Sequence, residues 1–420
     1  MKKFSYRKTF LLGFGFFGVS VIWATYNAFV PLFLDGKFGL NAAWIGFFMT
    51  LDNIAALLIQ PPVGARSDKL RTRIGRRMPF ILIGAPVGAI AFGFIPLASI
   101  LPLFVVCTST LLISMAFWRT PVVALMPDIT PSKYRSQANG IINFMGGLGA
   151  LISFFIGAKL YEINQAYPFW LGSVLVIISA LLVFAFIKEP QDYQKEEQEK
   201  LPGIIESLKV VLKEEEKSPL RILLAILFWF ISYNGIEAFF TVYGVNHLGL
   251  SEADSVRQLG FLSLIFLIFA LPSGYLGAKF GRKRTIMFGV TIMAVSIIFL
   301  FALPVATLST LLTSLPVVGN LFVTGLILMI SGLGWALINI NSLPMVVDMT
   351  DDIRVGTYTG LYYFASTLAA IAGPNIYGLI VGLNANNYAW IMYISPIFLV
   401  LAFIMMTGVR RGEAKPESTT

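Results

Sequence analysis

Apolar runs of about twenty residues dominate this chain, and they restrict its fold more than any other feature. A helix needs roughly 20 mostly apolar residues to cross a bilayer. By that rule the 420-residue sequence contains twelve spans, at 10–33, 41–65, 78–97, 101–126, 136–160, 168–187, 221–246, 255–278, 284–304, 317–347, 356–382 and 388–407. Span 10 is long enough for one end to extend past the bilayer. Only 13% of residues are charged against 57% hydrophobic. A soluble chain carries about a quarter charged residues. The expected class is therefore an all-α polytopic membrane protein. The N-terminal segment MKKFSYRKTFLLGFGFFGVSVIWATYNAF starts like a signal peptide. Its apolar run is too long and lacks a small-x-small cleavage site, so it reads as a retained first span.

The net charge of +9 is explained by where the cations lie. Lys2, Lys3, Arg7 and Lys8 precede span 1. Six cations from Arg66 to Arg77 lie between spans 2 and 3, and seven from Lys188 to Arg221 between spans 6 and 7. Lys279, Arg282, Lys283 and Arg284 follow span 8. The odd-numbered loops and their borders hold only Lys37, Lys159 and Arg257. This alternation places both termini and every even loop in the cytoplasm of a cell (plasma or inner) membrane. It accounts for the charge without a nucleic-acid partner. A single cysteine, Cys107, excludes an internal disulfide framework and a Cys-based metal site, and the single His247 excludes a His cluster. No metal and no cofactor are expected, and with no nucleophile constellation an enzyme is disfavoured.

The longest hydrophilic stretch divides the spans six and six. The expected units are 1–187, a cytoplasmic linker at 188–220 with an interfacial amphipathic helix, and 221–420. The halves echo each other. PPVGARSDKLRTRIGRRMPFILIG (61–84) parallels LPSGYLGAKFGRKRTIMFG (271–289). MPDITPSKYRSQANG (126–140) parallels VVDMTDDIRVGTYTG (346–360), with Asp128 matching Asp348. A parallel repeat of this kind suits two bundles about an axis normal to the membrane.

These loops resemble the signature of the major facilitator superfamily, Gly-x-x-x-Asp-(Arg/Lys)-x-Gly-(Arg/Lys)-(Arg/Lys), at Gly64, Asp68, Lys69, Gly75, Arg76 and Arg77, with extra residues before Gly75. The longer loop SDKLRTRIGRRMPFI, with Arg73 in its pattern, is similar to the sucrose/proton symporters of plants and their animal and bacterial relatives. RTPVVALMPDITPSKYRSQANG looks like the same group. The resemblance implies two six-helix bundles and alternating access, a sugar as small-molecule substrate, and a lipid bilayer as the surrounding partner of a monomer. It implies gating roles for Gly64, Asp68, Arg73, Gly75, Arg76, Arg77, Asp128, Arg135, Gly274, Gly281, Arg282 and Asp348. The sequence also departs from these families. Plant sucrose carriers have an aspartate in helix 4 where this chain reads LLISMAFWR. Melibiose-type sodium symporters have two aspartates one turn apart in helix 2, where DNIAALLIQPP holds only Asp52. A sodium site wants several oxygen ligands, so a proton is the expected coupling ion.

Three charges lie deep within spans, away from their ends, where insertion costs about 2.5–3.5 kcal/mol each. Asp52 precedes Gly64 by 12 residues, about 18 Å along a helix. It is either a proton carrier, a structural pair, or exposed at the outer end. Arg119 precedes Asp128 by nine residues, about 13 Å. It is either a substrate ligand or gating partner of Asp52, or an ion-pair strut or snorkelling side chain. Glu237 shares a helix face with Asn234 and Thr241. It is a sugar ligand, a second proton site, or an acid packed against a loop cation. Proton coupling is thus assigned to Asp52, Arg119 and Glu237. Polar and aromatic residues add a candidate sugar site, since sugars present hydroxyl edges and apolar C–H faces: Trp23, Tyr26, Asn27, Asn53, Trp118, Tyr233, Asn234, Trp335, Asn339 and Tyr362. Each aromatic alone can equally be packing. The expected function is proton-coupled import of a disaccharide or other glycoside. An exporter, a carrier of another solute and a non-transporting sugar sensor are the alternatives.

Overall fold

In a bilayer every backbone N–H and C=O must find its partner inside the segment, so apolar runs fold as helices. The computed structural model describes residues 5–131, 134–189, 203–350 and 354–413. Among the described residues 12 helices are long and apolar enough to cross a membrane: Tyr6–Lys37, Ala42–Lys69, Met78–Leu97, Leu101–Ile129, Gln137–Ile163, Tyr167–Phe186, Ser218–Asn246, Glu252–Phe280, Arg282–Ala302, Val323–Val347, Val355–Leu383 and Trp390–Thr407. They are numbered spans 1 to 12 here. The face carrying the chain ends is called the terminal face.

Most bounds fall within a few residues of those expected, and span 10 is the informative exception. It begins at Val323, not at 317. The apolar residues before it form an antiparallel hairpin, β1 (Leu311–Leu315) with β2 (Gly319–Phe322). Pro316 cannot continue a helix, and Val317 and Gly319 take positive φ angles of 69° and 88°. The turn is built from conformations a helix excludes.

Within the first half, span 1 packs on spans 5 and 6, span 3 on spans 4 and 6, and span 2 on span 4. Within the second, span 7 packs on spans 11 and 12, span 9 on spans 10 and 12, and span 8 on span 10. The packing scheme of the first six helices is thus repeated by the last six. Small residues allow the close crossings. A Cβ on Gly149 of span 5 would lie 2.6 Å from the Phe17 carbonyl of span 1. Between the halves, the helix Ile204–Lys213 lies against spans 7 and 11.

The halves meet through span 1 on span 7, span 5 on span 8, and the start of span 2 on span 11. Their cross-half hydrogen bonds gather on the face opposite the termini. Asp35 accepts from Asn246 Nδ2 at 2.7 Å and from the Tyr388 hydroxyl at 2.5 Å. The Ala42 amide donates to Asn386 Oδ1 at 3.1 Å. Arg257 pairs with Glu162 at 2.6 Å. Gly140 and Gly360, at the terminal ends of spans 5 and 11, have room for a Cβ with no atom within 4 Å. This is a state closed on the opposite face.

Candidate functional site

Span 2 is not one continuous helix. It consists of Ala42–Phe48 and Leu51–Lys69, separated at Met49 and Thr50. The Thr50 hydroxyl donates to the Phe47 carbonyl at 2.7 Å and accepts from Asn375 Nδ2 of span 11 at 3.3 Å. Asp52 therefore occupies the first turn of a new helix, where free backbone N–H groups and the helix dipole favour a carboxylate. Asn53 Nδ2 donates to Asp52 Oδ1 at 2.8 Å. The break explains how a carboxylate is tolerated at this depth.

The polar groups of spans 1, 2, 4 and 7 converge on one cavity of about 200 Å³. Trp23, Asn27, Asp52, Asn53, Arg119, Asn234 and Glu237 line it, together with Met49, Ala238, Ala370 and Pro374. All three intramembrane charges singled out from the sequence thus face a single space between the halves. Asn27 of span 1 reaches Glu237 of span 7. Among the described residues the Trp23 indole N–H is buried without a hydrogen-bond partner. Among the described residues Arg119 makes no ion pair within 4.0 Å, and Asp52 faces it only across the cavity. Pro374 also roofs the site: a Cβ on Gly46 would lie 2.3 Å from its carbonyl oxygen.

Other expected ligands stand outside this cavity. Trp118 is 1% exposed and packs on Gly84, so it is a core side chain. Tyr26 is equally buried, edge-on to Trp23 at 6.0 Å. Tyr233 stacks on Trp335 at 4.0 Å with 7° between the planes. With Glu237, Tyr233 lines a smaller, mostly apolar cavity inside the second half. Tyr362 shares a hydrogen bond of 3.1 Å with Ser342, whose hydroxyl also donates to the Asn339 carbonyl at 2.9 Å. The sequence did not single out Met49, Ala238, Ala370 and Pro374, because small and apolar residues carry no chemical signal.

The expected gating residues form two matching clusters on the terminal face. In the first, Arg76 binds Asp128 at 2.5 Å, and Arg77 binds Asp128 at 3.1 Å as well as Asp68. Glu189, just after span 6, accepts the amides of Arg76, Arg77 and Met78 at 2.8, 3.0 and 2.9 Å. In the second, Arg282 pairs with Asp348. Glu413, just after span 12, accepts the amides of Arg282 and Lys283 at 2.6 and 3.1 Å. Each acid caps the first turn of the following helix in its own half. Gly75 and Gly281 enter these turns at φ 115° and 93°. Arg135 donates to the Pro127 carbonyl at 3.4 Å, Arg73 is exposed, and a Cβ on Gly64 or Gly274 would meet Thr120 or Ile340 at ordinary contact distance, 3.4 and 3.6 Å. Glu189 and Glu413 escaped sequence reasoning. The available signal was an acid shortly beyond the last span of each half, after Phe186 and after Thr407.

Two six-helix bundles around a charged cavity at membrane depth define a transporter of small molecules, not an enzyme. The Major Facilitator Superfamily model matches residues 12–374 and 259–420. The chain belongs to that superfamily. It is 26% identical over 406 residues to the hexuronate transporter of Bacillus subtilis (strain 168), covering 92% of this chain and 90% of that protein. It is 23% identical over 292 residues to the general alpha-glucoside permease of Schizosaccharomyces pombe (strain 972 / ATCC 24843), covering 61% of this chain and 53% of that protein. The fold is similar to that of a bacterial homolog of the human lysosomal transporter Spinster in an inward-facing, occupied conformation, with a TM-score of 0.74 at 15% identity, covering 99% of this chain and 100% of that one.

Proposed function

We propose that the protein imports a disaccharide or other glycoside together with a proton, by alternating exposure of the cavity between spans 1, 2, 4 and 7. The supporting observation is the meeting of Asp52, Arg119 and Glu237 with Asn27, Asn53 and Asn234 in that one cavity. Amides and a guanidinium suit ring hydroxyls, and Trp23 adds a ring face and a free N–H. Two relatives bear the names of a hexuronate transporter and an alpha-glucoside permease, which is consistent with a sugar. Asp52 is the carrier of the transported proton. Its position just beyond the Met49–Thr50 break joins its charge state to the helix segment that closes the opposite face. Both termini lie in the cytoplasm, as the distribution of Lys and Arg indicates.

Uptake of labelled sucrose, maltose and glucuronides into proteoliposomes tests this function. An imposed inward proton gradient should drive accumulation of at least one of them. Accumulation driven by a sodium gradient alone would reject proton coupling, and uptake confined to lipophilic cations would reject the sugar.

A further inference from the structure

Resting on the transport function just proposed, the site's charge arrangement narrows the substrate. Among the described residues five arginines (Arg76, Arg77, Arg257, Arg282 and Arg411) pair with a carboxylate of this chain. Arg119 is not one of them. It lies within span 4, yet among the described residues its guanidinium has no carboxylate within 4.0 Å and no hydrogen-bond acceptor. The two cavity acids already have amide neighbours, Asp52 through Asn53 Nδ2 at 2.8 Å and Glu237 through Asn27. The one cation of the site faces Asp52 across the cavity but has no direct hydrogen-bond or ion-pair partner among the described residues.

A buried charge demands a partner, and the planar guanidinium fork matches a carboxylate in bidentate geometry. We propose that the missing partner is the substrate's own carboxylate: the transported sugar is a hexuronic acid or a glycosiduronic acid, held by Arg119. The surrounding amides of Asn27, Asn53 and Asn234 take ring hydroxyls, which sets an acidic sugar apart from a simple carboxylic acid. The two acids do not repel such a ligand once one of them carries the co-transported proton. The chain then contributes one cation and one anion to the cavity, and the ligand's carboxylate meets the free fork.

The test is a binding comparison on the purified full-length protein in lipid nanodiscs, with methyl β-D-glucuronide against methyl β-D-glucoside, and the matching galacto pair. Members of each pair differ only at C6, a carboxylate against a hydroxymethyl group. In at least one pair the acid should bind about tenfold more tightly or better, as expected for a charge-assisted bidentate contact. Arg119→Gln should erase that preference, lowering the affinity of the acid more than that of the neutral glycoside. Equal or tighter binding of the neutral members by wild type overturns the inference while leaving sugar transport intact. So does an acid preference that survives in Arg119→Gln. Binding of neither member of either pair also overturns the inference, and the disaccharide uptake assay above then decides the sugar function on its own. The wild-type comparison stands even if the variant does not fold.

Discussion

Asp52 of span 2 and Glu237 of span 7 come from opposite halves of the chain and line one cavity. Under the proposed alternating access, a carboxylate on each half makes the electrostatics of the site change whenever the halves move. Asp52 also directly follows the break whose outer segment, Ala42–Phe48, packs on span 11. Protonation of Asp52 changes the charge at the start of the helix Leu51–Lys69, and the segment before the break is the one that must leave span 11 for the opposite face to open. Asp52→Asn keeps the shape and removes the titration. It should abolish uphill sugar accumulation in proteoliposomes while sugar exchange at equal concentrations persists. Wild-type accumulation by this variant would separate Asp52 from coupling.

The opposite face is held by Asp35, which accepts from Asn246 and Tyr388, and by Arg257 with Glu162. Glu162 is half exposed, so its pair is worth about 0–1 kcal/mol. Two hydrogen bonds to Asp35 contribute about 1 kcal/mol each. Asp35→Ala should therefore open this face more than Glu162→Gln does, and by about tenfold in population for each 1.4 kcal/mol lost. The readout is labelling of Ala370→Cys, in the cavity wall, by an impermeant maleimide added to that face in a Cys107→Ser background. Equal labelling in both variants and in the parent would refute the seal.

Gly75 and Gly281 perform equivalent turns under different crowding. A Cβ at Gly75 would lie 2.4 Å from the Glu189 carboxyl group, whereas at Gly281 the Glu413 carboxylate is 3.2 Å away. Both have positive φ, a strain of about 1–3 kcal/mol for alanine. Gly75→Ala should lower the melting temperature more than Gly281→Ala. The reverse order would show that the Glu189 cap yields easily.

Glu216 ties the linker to the tail. Burial pushes its carboxyl up, but the Ser218 hydroxyl and amide and the Arg411 guanidinium outweigh this and hold it below its ordinary value of 4.5. A carboxyl depressed in the folded state adds stability above its unfolded pKa and loses it as pH falls through the folded one. The melting-temperature difference between wild type and Glu216→Gln should be full at pH 7 and shrink only below pH 4.5. A difference that persists at pH 3.5, about one unit below that value, would assign the effect to something other than charge.

Helix number, alternation of the loops and the internal echo were legible in the sequence because each follows from composition or spacing. So were Asp52, Arg119 and Glu237, since a charge in an apolar run is conspicuous. Their convergence on one cavity was legible only through the family resemblance. The Met49–Thr50 break was not, because Met and Thr are common inside helices and only the Asn375 contact from span 11 distinguishes them. The hairpin before span 10 was misread because its strands are as apolar as a span. Pro316 and Gly319 were the available signals. Trp118 was misplaced because adjacency to Arg119 in sequence puts it on a different face of the helix.

The most direct test of coupling is proton movement driven by sugar. Proteoliposomes loaded with a pH-sensitive dye and given an inward gradient of the transported sugar should acidify inside without any imposed pH gradient. Asp52→Asn should transport the sugar without acidification. Sugar entry with no pH change in wild type, or entry that requires sodium, would contradict proton symport.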